Sequence, residues 1–274
     1  MSVELLVVVD NTASRADLAC EHGLSVLVSG PRGKFLFDTG ATADALLANA
    51  TVLGADLSDL DGVILSHGHY DHTGGLAAVA TQRPGLPIYA HPAVFRRRWS
   101  HRPGKTHREI SCPHPRKSLE AAGAVFHPID ASNPLADWLV LSGPVPGPMH
   151  GREVFVVEHG DDTVADGFED EQFCLLRAEG GWAVLTGCCH RGLANTLAAA
   201  NNLAGGEPVI AVFGGLHLRR ADEDELRAVV ELLRQAGSPA VYPCHCTGDE
   251  ATRFLAEHLP GRVTPLSAGR RVVI

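Results

Sequence analysis

The sequence VILSHGHYDHTGG, residues 63–75, holds three histidines and one aspartate within six positions. Its apolar beginning predicts a buried strand, and the glycine pair at its end marks the start of a helix. Imidazole and carboxylate groups together are typical ligands of zinc, iron and manganese. We predict that His67 and His69 bind one ion and that Asp71 and His72 point to a second. Two ions about 3.5–4 Å apart can lower the pKa of a shared water.

The whole chain has 274 residues, with 23 Lys and Arg against 32 Asp and Glu and a formal net charge of −9. Hydrophobic residues make up 45% and charged residues 20% of the chain, which is typical of a globular protein and excludes a disordered or fibrous one. No apolar stretch approaches the roughly 18 residues that span a bilayer, so we expect no membrane partner. The acidic balance argues against general nucleic-acid binding.

The seven cysteines include an adjacent pair, Cys188 and Cys189, and a Cys-x-Cys pair, Cys244 and Cys246. This odd number and close spacing fit reduced thiols better than a disulfide framework. The N-terminus lacks the basic region and cleavage site of a signal peptide, and its pattern predicts a first strand. We therefore expect a cytoplasmic protein, and the sequence leaves a homo-oligomeric state open.

Short apolar runs alternate with helical patterns along the chain, which predicts mixed sheets covered by helices in a layered α/β (α+β) arrangement. We predict a single domain of residues 1–274. The predicted strands are 3–9, 24–29, 34–37, 62–65, 88–90, 138–141, 153–158, 173–178, 182–185, 209–213 and 240–242. The predicted helices are 43–50, 75–81, 118–122, 193–203, 222–235 and 249–258.

Residues 66–72 resemble the H-x-H-x-D-H signature of the metallo-β-lactamase-fold superfamily. Residues 37–40, Phe-Asp-Thr-Gly after a predicted strand, resemble the first motif of that superfamily. The resemblance implies a four-layer αβ/βα sandwich with metals at the sheet edge. It also implies that Asp38 supports the metal loop from behind the ligands, with direct binding of metal as the alternative.

Three later segments resemble a narrower branch, the dihydropterin–ribofuranosylaminobenzene-phosphate synthase-like proteins. The segment TGCCHRG, 186–192, is similar to the T-G-C-S-H-x-G motif of this branch. The segments FGGLHL, 213–218, and PCHCTG, 243–248, are similar to its G-G-x-H-L and H-C-T-G motifs. The resemblance implies that His190 and His245 are further metal ligands.

The implied cofactors are two divalent metal ions, with zinc expected and manganese or iron as alternatives. One ion takes three histidines, and the other takes an aspartate and two histidines: His67, His69 and His190, and Asp71, His72 and His245. Many superfamily members carry an Asp after the Thr-Gly of residues 186–187, where this chain has Cys188. Either Cys188 is a ligand, or His190 substitutes, or one ion is held weakly.

Two residues are candidates for catalysis. Asp71 can help to manage a proton in addition to binding metal. His217 either contacts substrate, transfers a proton, or binds metal.

Residues 95–117 hold eight of the 23 Lys and Arg and one acid, Glu109. Several Pro and Gly residues predict a long loop or lid. Guanidinium forks match phosphate oxygens, so the cluster favours capture of an anionic small molecule through Arg96, Arg97 and Arg98. The alternative is a solvated surface loop.

These features predict a dinuclear metal-dependent enzyme, a metallohydrolase or related transferase, acting on a small phosphorylated substrate. The reaction is either hydrolysis or diphosphate-displacing transfer. The branch resemblance implies the joining of a dihydropterin-methyl diphosphate to a ribofuranosylaminobenzene phosphate with loss of diphosphate. The alternatives are a phosphodiesterase or thioester or lactone hydrolase, and a non-catalytic metal- or pterin-binding sensor.

Overall fold

The structure is a computed structural model that describes residues 2–101, 106–149 and 155–274. Its strands are β1 (Glu4–Val9), β2 (Ser25–Gly30), β3 (Gly33–Phe37), β4 (Gly62–Ile64), β5 (Pro87–Ala90), β6 (Arg98–Ser100), β7 (Arg108–Glu109), β8 (Val125–Pro128), β9 (Asn133–Ala136), β10 (Leu139–Leu141), β11 (Phe155–His159), β12 (Asp162–Ala165), β13 (Cys174–Ala178), β14 (Gly181–Thr186), β15 (Val209–Gly214), β16 (Ala240–Pro243) and β17 (Arg271–Val273). Its helices are α1 (Ala43–Leu53), α2 (Tyr70–Thr73), α3 (Leu76–Gln82), α4 (Arg116–Ala121), α5 (Leu193–Leu203), α6 (Glu223–Gln235) and α7 (Asp249–His258). Short 3₁₀ helices lie at Pro92–Phe95 and His245–Thr247.

Within the described ranges the strands form two large sheets and one small sheet. The first large sheet has the order β17-β1-β2-β3-β4-β5-β8, and the second has the order β16-β15-β14-β13-β10-β9. The small sheet has the order β12-β11-β6-β7. Strands β3, β4, β5 and β8 run parallel, as do β14, β15 and β16. Each large sheet therefore has a parallel half whose carboxyl ends lie at one edge.

Strand β1 shows how the first sheet separates two cores. Leu5 and Val7 belong to the core between the large sheets, whereas Leu6 and Val8 pack with apolar residues of helices α1 and α3. Because successive side chains of a strand point to opposite faces, an uninterrupted apolar run is buried on both sides.

The second large sheet is organised in the same way. Leu185 of β14 belongs to the core between the sheets, and Val184 packs with residues of helices α5, α6 and α7. Helix α6 begins with Asp222 as N-cap, and Asp222 and Glu225 form a capping box. The layers are therefore helix, sheet, sheet and helix, and the predicted αβ/βα sandwich is confirmed.

The segment 95–117 differs from the predicted continuous loop. It includes strands β6 and β7 and the start of helix α4, while residues 102–105, with Arg102 and Lys105, lie outside the described ranges. Strand β6 pairs with β11, where Ser100 lies opposite Phe155. A short strand that is stabilised by pairing with a distant strand has no recognisable pattern in its own sequence. For this reason β6 and β7 were not predicted. The predicted strand 153–158 is observed as β11, and its first two residues lie outside the described ranges.

No helix in the described part of the chain is both long enough and apolar enough to cross a bilayer.

Candidate metal centre

The predicted site residues follow the carboxyl ends of parallel strands in both large sheets. The metal loop, residues 66–72, follows β4 and continues into helix α2. The other segments follow β3, β14, β15 and β16, and they carry Asp38, Cys188 with His190, His217, and His245. The parallel pairing of the strands brings these distant segments together at one edge of the sandwich.

The first group consists of His67, His69 and His190, whose candidate ligand atoms all lie within 4.8 Å of one another. The ring centroids are 4.5 Å apart for His67 and His69, and His190 lies 4.9 Å from each of them. All three side chains are buried. Burial lowers the pKa of each imidazole well below its usual value, and neighbouring cationic groups lower it further. The neutral imidazole is the form that binds metal.

Ser66 and Asp38 orient His67. The Ser66 hydroxyl donates to Asp38 Oδ2 at 2.6 Å and lies 2.9 Å from His67 Nδ1. Because the Ser66 hydroxyl donates its hydrogen bond to Asp38, it accepts a hydrogen bond from His67 Nδ1–H. The free lone pair of this imidazole is therefore on His67 Nε2. The turn after β14 approaches closely here, because a Cβ on Gly187 would lie only 2.1 Å from Ser66 Oγ.

The second group consists of Asp71, His72 and His245. Asp71 Oδ2 lies 3.6 Å from His245 Nε2 and 3.9 Å from His72 Nε2. Asn11 Oδ1 accepts from His245 Nδ1 at 3.0 Å, which leaves the lone pair on His245 Nε2. The amide of Asn11 comes from the segment after β1, and no sequence pattern pointed to it.

Asp38 lies behind His72 and contacts its ring. Its Oδ2 lies 2.7 Å from His72 Nδ1, and its Oδ1 accepts from the Ser66 backbone N–H at 2.7 Å. Burial lowers the pKa of His72, but the carboxylates of Asp38 and Asp71 outweigh this effect and raise the pKa to about 9. Asp38 therefore links the two groups through Ser66 and His72.

Cys188 lies between the two groups. Its Sγ is 3.2 Å from His72 Nε2, and it forms a candidate ligand set with His67 and His72. It also lies within 4.8 Å of the ligand atoms of His190 and His217. Cys188 and His190 both lie within reach of a shared position at the site, so each remains a candidate ligand.

His22 was not predicted as a site residue. Its Nε2 lies 3.2 Å from Asp71 Oδ2, and its ring stacks on His245 at 4.9 Å. These atoms form a further candidate ligand set with Asp71 and His245. His22 stands in the connection between β1 and β2, outside any motif, so only the folded chain reveals this placement.

Four non-glycine residues in the turns after β3, β14, β15 and β16 have left-handed backbone conformations. Their φ values are 58° for Asp38, 62° for Cys189, 54° for His217 and 51° for His245. Such conformations cost on the order of 1–3 kcal/mol each and cluster at functional sites. The surrounding structure therefore forces these strand-end turns to present their side chains at the edge of the sandwich.

His217 and two phenylalanines surround the histidine groups. The His217 ring lies 4.3 Å from that of His190, and its side chain is exposed. Phe168 stacks on His190 at 4.0 Å, and Phe155 lies 5.4 Å from the ring of His69. His217 therefore faces both the site and solvent, while the two aromatic rings pack against the histidines of the first group.

The three predicted substrate arginines are each engaged with a carboxylate. Arg96 pairs with Glu169 and Arg97 pairs with Glu109, both near the surface. Arg98 is only 1% exposed and lies 2.7 Å from carboxylate oxygens of both Asp166 and Asp170. The prediction that Arg98 contacts substrate is therefore wrong, because its guanidinium is enclosed in the protein.

The donor set fits divalent metal ions. Within the described ranges the buried Nε2 atoms of His67, His69, His190 and His245 have no hydrogen-bond partner. Buried polar atoms are normally satisfied, so four unpaired imidazole nitrogens facing one region require an explanation. Imidazole nitrogen with nearby carboxylate and thiolate suits zinc, and imidazole with carboxylate also suits iron and manganese.

A sandwich of this topology with converging imidazoles at its edge defines a metal-dependent enzyme that acts on a small molecule. Residues 18–165 match the profile of the metallo-beta-lactamase superfamily, and the chain belongs to this superfamily. The predicted family is thereby confirmed.

Two relatives match nearly the whole chain. The 7,8-dihydropterin-6-methyl-4-(beta-D-ribofuranosyl)-aminobenzene-5'-phosphate synthase of Methanocaldococcus jannaschii is 27% identical, over 91% of this chain and 89% of that protein. The solved structure of Tm1679, described as a metal-dependent hydrolase of the beta-lactamase superfamily, is 30% identical. It has a TM-score of 0.85 and covers 98% of both chains. A diphosphatase of the PhnP family shares the fold, with a TM-score of 0.57, 16% identity and coverage of 100% of this chain and 98% of its own.

Proposed function

We propose that the protein uses two divalent metal ions to act on a small phosphorylated substrate, and that it transfers an organic group with displacement of diphosphate. The observation that carries the metal centre is the set of buried, unpaired Nε2 atoms on His67, His69, His190 and His245. The similarity to the Methanocaldococcus jannaschii synthase over 91% of the chain supports the substrate class.

Each of the two ligand groups would hold one ion. His67, His69 and His190 would hold the first ion, and Asp71, His72 and His245 the second. Cys188 would contribute a thiolate near His72 Nε2, and His22 is an additional candidate beside Asp71. Zinc is the metal we expect, with manganese or iron as alternatives. The bound ions would supply positive charge that stabilises a diphosphate leaving group.

His217 would handle a proton at the entrance of the site. Its exposed ring lies beside His190, so it can exchange protons with solvent and reach a substrate bound near the metals. Asp71 would bind the second ion, and its carboxylate would help to manage a proton in the reaction. Phe155 and Phe168 would limit water access, which favours transfer over hydrolysis.

The reaction class is tested with metal-loaded protein supplied with a dihydropterin-methyl diphosphate, with and without a ribofuranosylaminobenzene phosphate. The expected result is coupled product detected by mass spectrometry, together with diphosphate release that depends on the aminobenzene co-substrate. Diphosphate release without coupled product would contradict the transfer reaction and support hydrolysis.

Hydrolysis is the second candidate, because the 30% identical Tm1679 is described as a metal-dependent hydrolase. The same preparation is assayed with bis(p-nitrophenyl) phosphate and with thioester and lactone panels. Turnover of one of these and none of the transfer pair would identify a phosphodiesterase or a thioester or lactone hydrolase. Tight metal or pterin binding without any turnover would instead support the non-catalytic sensor.

A Cys188→Ser variant is expected to weaken metal binding, with the larger effect on the second ion. The reason is that Cys188 Sγ lies 3.2 Å from His72 Nε2, at the side of the second group. Cobalt substitution provides the measurement, since a thiolate ligand gives a near-ultraviolet charge-transfer band. The band should be present in the unmodified protein and absent in Cys188→Ser. A Cys20→Ser variant is the control, because Cys20 is exposed and belongs to none of the ligand sets among the described residues.

An Arg96→Met, Arg97→Met double variant is expected to raise KM for a phosphorylated substrate and to leave metal content unchanged. Both guanidiniums lie near the surface, where exchange from a carboxylate partner to a substrate phosphate costs little because exposed ion pairs contribute only about 0–1 kcal/mol. Steady-state kinetics and metal analysis provide the measurements. An unchanged KM would show that these arginines form only surface ion pairs.

A further inference from the structure

The segment 166–172, between β12 and β13, lies against the metal loop. The Gln172 backbone N–H donates to Ser66 O at 2.9 Å, and its side-chain amide donates to Leu65 O at 2.9 Å. Asp170 Oδ2 accepts from the Gly68 backbone N–H at 2.7 Å. The segment therefore bonds to the main chain that bears His67 and His69.

The same segment also bonds to the chain that bears His190. The Glu171 carboxylate accepts from the backbone N–H groups of His190 at 2.5 Å and Arg191 at 2.6 Å. Phe168 stacks face to face on the His190 ring, with an interplanar angle of 10°. One short segment thus contacts both stretches that supply the three-histidine group.

Arg98 holds this segment in place from β6. Its Nε donates to Asp166 Oδ2 and its Nη2 donates to Asp170 Oδ1, both at 2.7 Å. Its Nη1 donates to Ala93 O at 3.1 Å. Each oxygen of Asp170 therefore has a different partner, Arg98 on one side and the Gly68 amide on the other. A buried charge is tolerated only with such complete pairing.

The metal loop packs closely against Arg98 and the backbone of Val94. A Cβ on Gly68 would lie 2.4 Å from Arg98 Nη1 and 2.1 Å from Val94 O. Only a glycine allows this close approach, and its amide then faces Asp170. Because Gly68 stands directly between His67 and His69, the position of its amide sets where those two side chains begin.

We propose that Arg98 and Asp170 are positioning residues of the metal centre, which hold the Gly68 amide so that His67 and His69 converge on the first ion. This inference rests on the proposed function, in which His67, His69 and His190 bind that ion. It explains why Arg98 is buried beside two carboxylates instead of facing a substrate. Partners that orient metal ligands commonly contribute about 10- to 100-fold to metal affinity.

The principal test is an Asp170→Asn variant. The asparagine side chain has one acceptor oxygen and one donor amide, so it cannot accept from both Arg98 and Gly68. We expect the affinity for zinc at the first site, measured by competition with a chromophoric chelator, to fall about 10- to 100-fold. We also expect the rise in Tm on zinc binding to become smaller, since that rise follows from affinity.

Two further variants separate positioning from general destabilisation, and a third tests the guanidinium itself. Arg177→Met removes an exposed ion pair with Glu207, and it should leave the zinc affinity unchanged. Asp166→Asn disturbs Arg98 but has no bond to the metal loop, so it should lower the affinity less than Asp170→Asn. Arg98→Lys should also lower the zinc affinity, because a single ammonium group lacks the guanidinium fork that bonds to both carboxylates.

The outcomes distinguish the two proposals. If Asp170→Asn lowers the Tm of metal-free and zinc-loaded protein equally and leaves zinc affinity unchanged, Asp170 has only a structural role and the inference fails. An equal loss of zinc affinity in Asp166→Asn and Asp170→Asn would show that Asp170 does not act on zinc binding through the Gly68 amide. If the unmodified protein binds no zinc, the proposed function itself fails, whatever the variants do.

Discussion

A His69→Ala variant is expected to lose the first ion and to lower kcat/KM by at least about 10³-fold, equivalent to about 4 kcal/mol of transition-state stabilisation. His69 is one of three buried imidazoles whose candidate ligand atoms lie within 4.8 Å of one another. Two remaining imidazoles leave the ion with too few protein ligands for a stable site. Metal analysis of the purified variant and kinetics with the best substrate provide the measurements.

Loss of the ion in His69→Ala should not be caused by unfolding. Among the described residues His69 Nε2 has no hydrogen-bond partner, so its removal breaks no protein hydrogen bond at that atom. Circular dichroism of the metal-free variant should therefore match that of the unmodified protein. His127→Ala is the matched control, because His127 is exposed on β8 and should leave metal content and turnover unchanged. Full metal content and full turnover in His69→Ala would contradict the proposed ligand set.

An Asp38→Ala variant is expected to have the largest effect on stability, with a loss of about 3–5 kcal/mol in the free energy of unfolding. The fully buried carboxylate bonds to the Ser66 backbone N–H, the Ser66 hydroxyl and His72 Nδ1. Alanine would leave these groups without a partner in the protein interior. Urea denaturation of the metal-free protein measures this loss.

An Asp38→Asn variant separates the role in stability from the role in metal binding. Its amide oxygen can still accept from the Ser66 backbone, but its NH₂ group then faces His72 Nδ1. This favours the tautomer with the proton on His72 Nε2, the atom directed at the second group. We expect a smaller loss of stability than in Asp38→Ala and a loss of about 10- to 100-fold in affinity for the second ion.

Asp59→Asn is the control for Asp38. Asp59 is 78% exposed and pairs with Lys34 at 2.9 Å, so its replacement should change the free energy of unfolding by no more than about 1 kcal/mol. A stability of Asp38→Ala equal to that of Asp59→Asn would show that the Asp38 carboxylate does not hold the metal loop.

The layered fold was predictable because its pattern is local. The apolar run at the start of the chain predicted a strand, and β1 contributes Leu5 to one core and Leu6 to the other. Helix α6 carries its N-cap and acidic first turn in its own sequence. Strands β6 and β7 were missed because they are short and are stabilised by pairing within a small sheet that includes β11.

The sequence by itself determined the family and the nucleus of the candidate metal centre. His67, His69, Asp71 and His72 lie within six residues, so the short loop keeps them close whatever surrounds it. The motifs with His190 and His245 could be read from the sequence only through resemblance, since each motif lies on a separate strand end.

Only the tertiary structure decided which distant groups meet. It brought His22 to Asp71 and Asn11 to His245, and it placed Cys188 beside His72. It also changed the interpretation of Arg98, which the clustered charges of the sequence had predicted to contact substrate. Its partners Asp166 and Asp170 lie 68 and 72 residues away in the sequence. Arg98 is buried with them, so it forms internal ion pairs instead of a surface charge. The physical reason is that the role of a charge depends on its solvent exposure and its partners, and folding sets both.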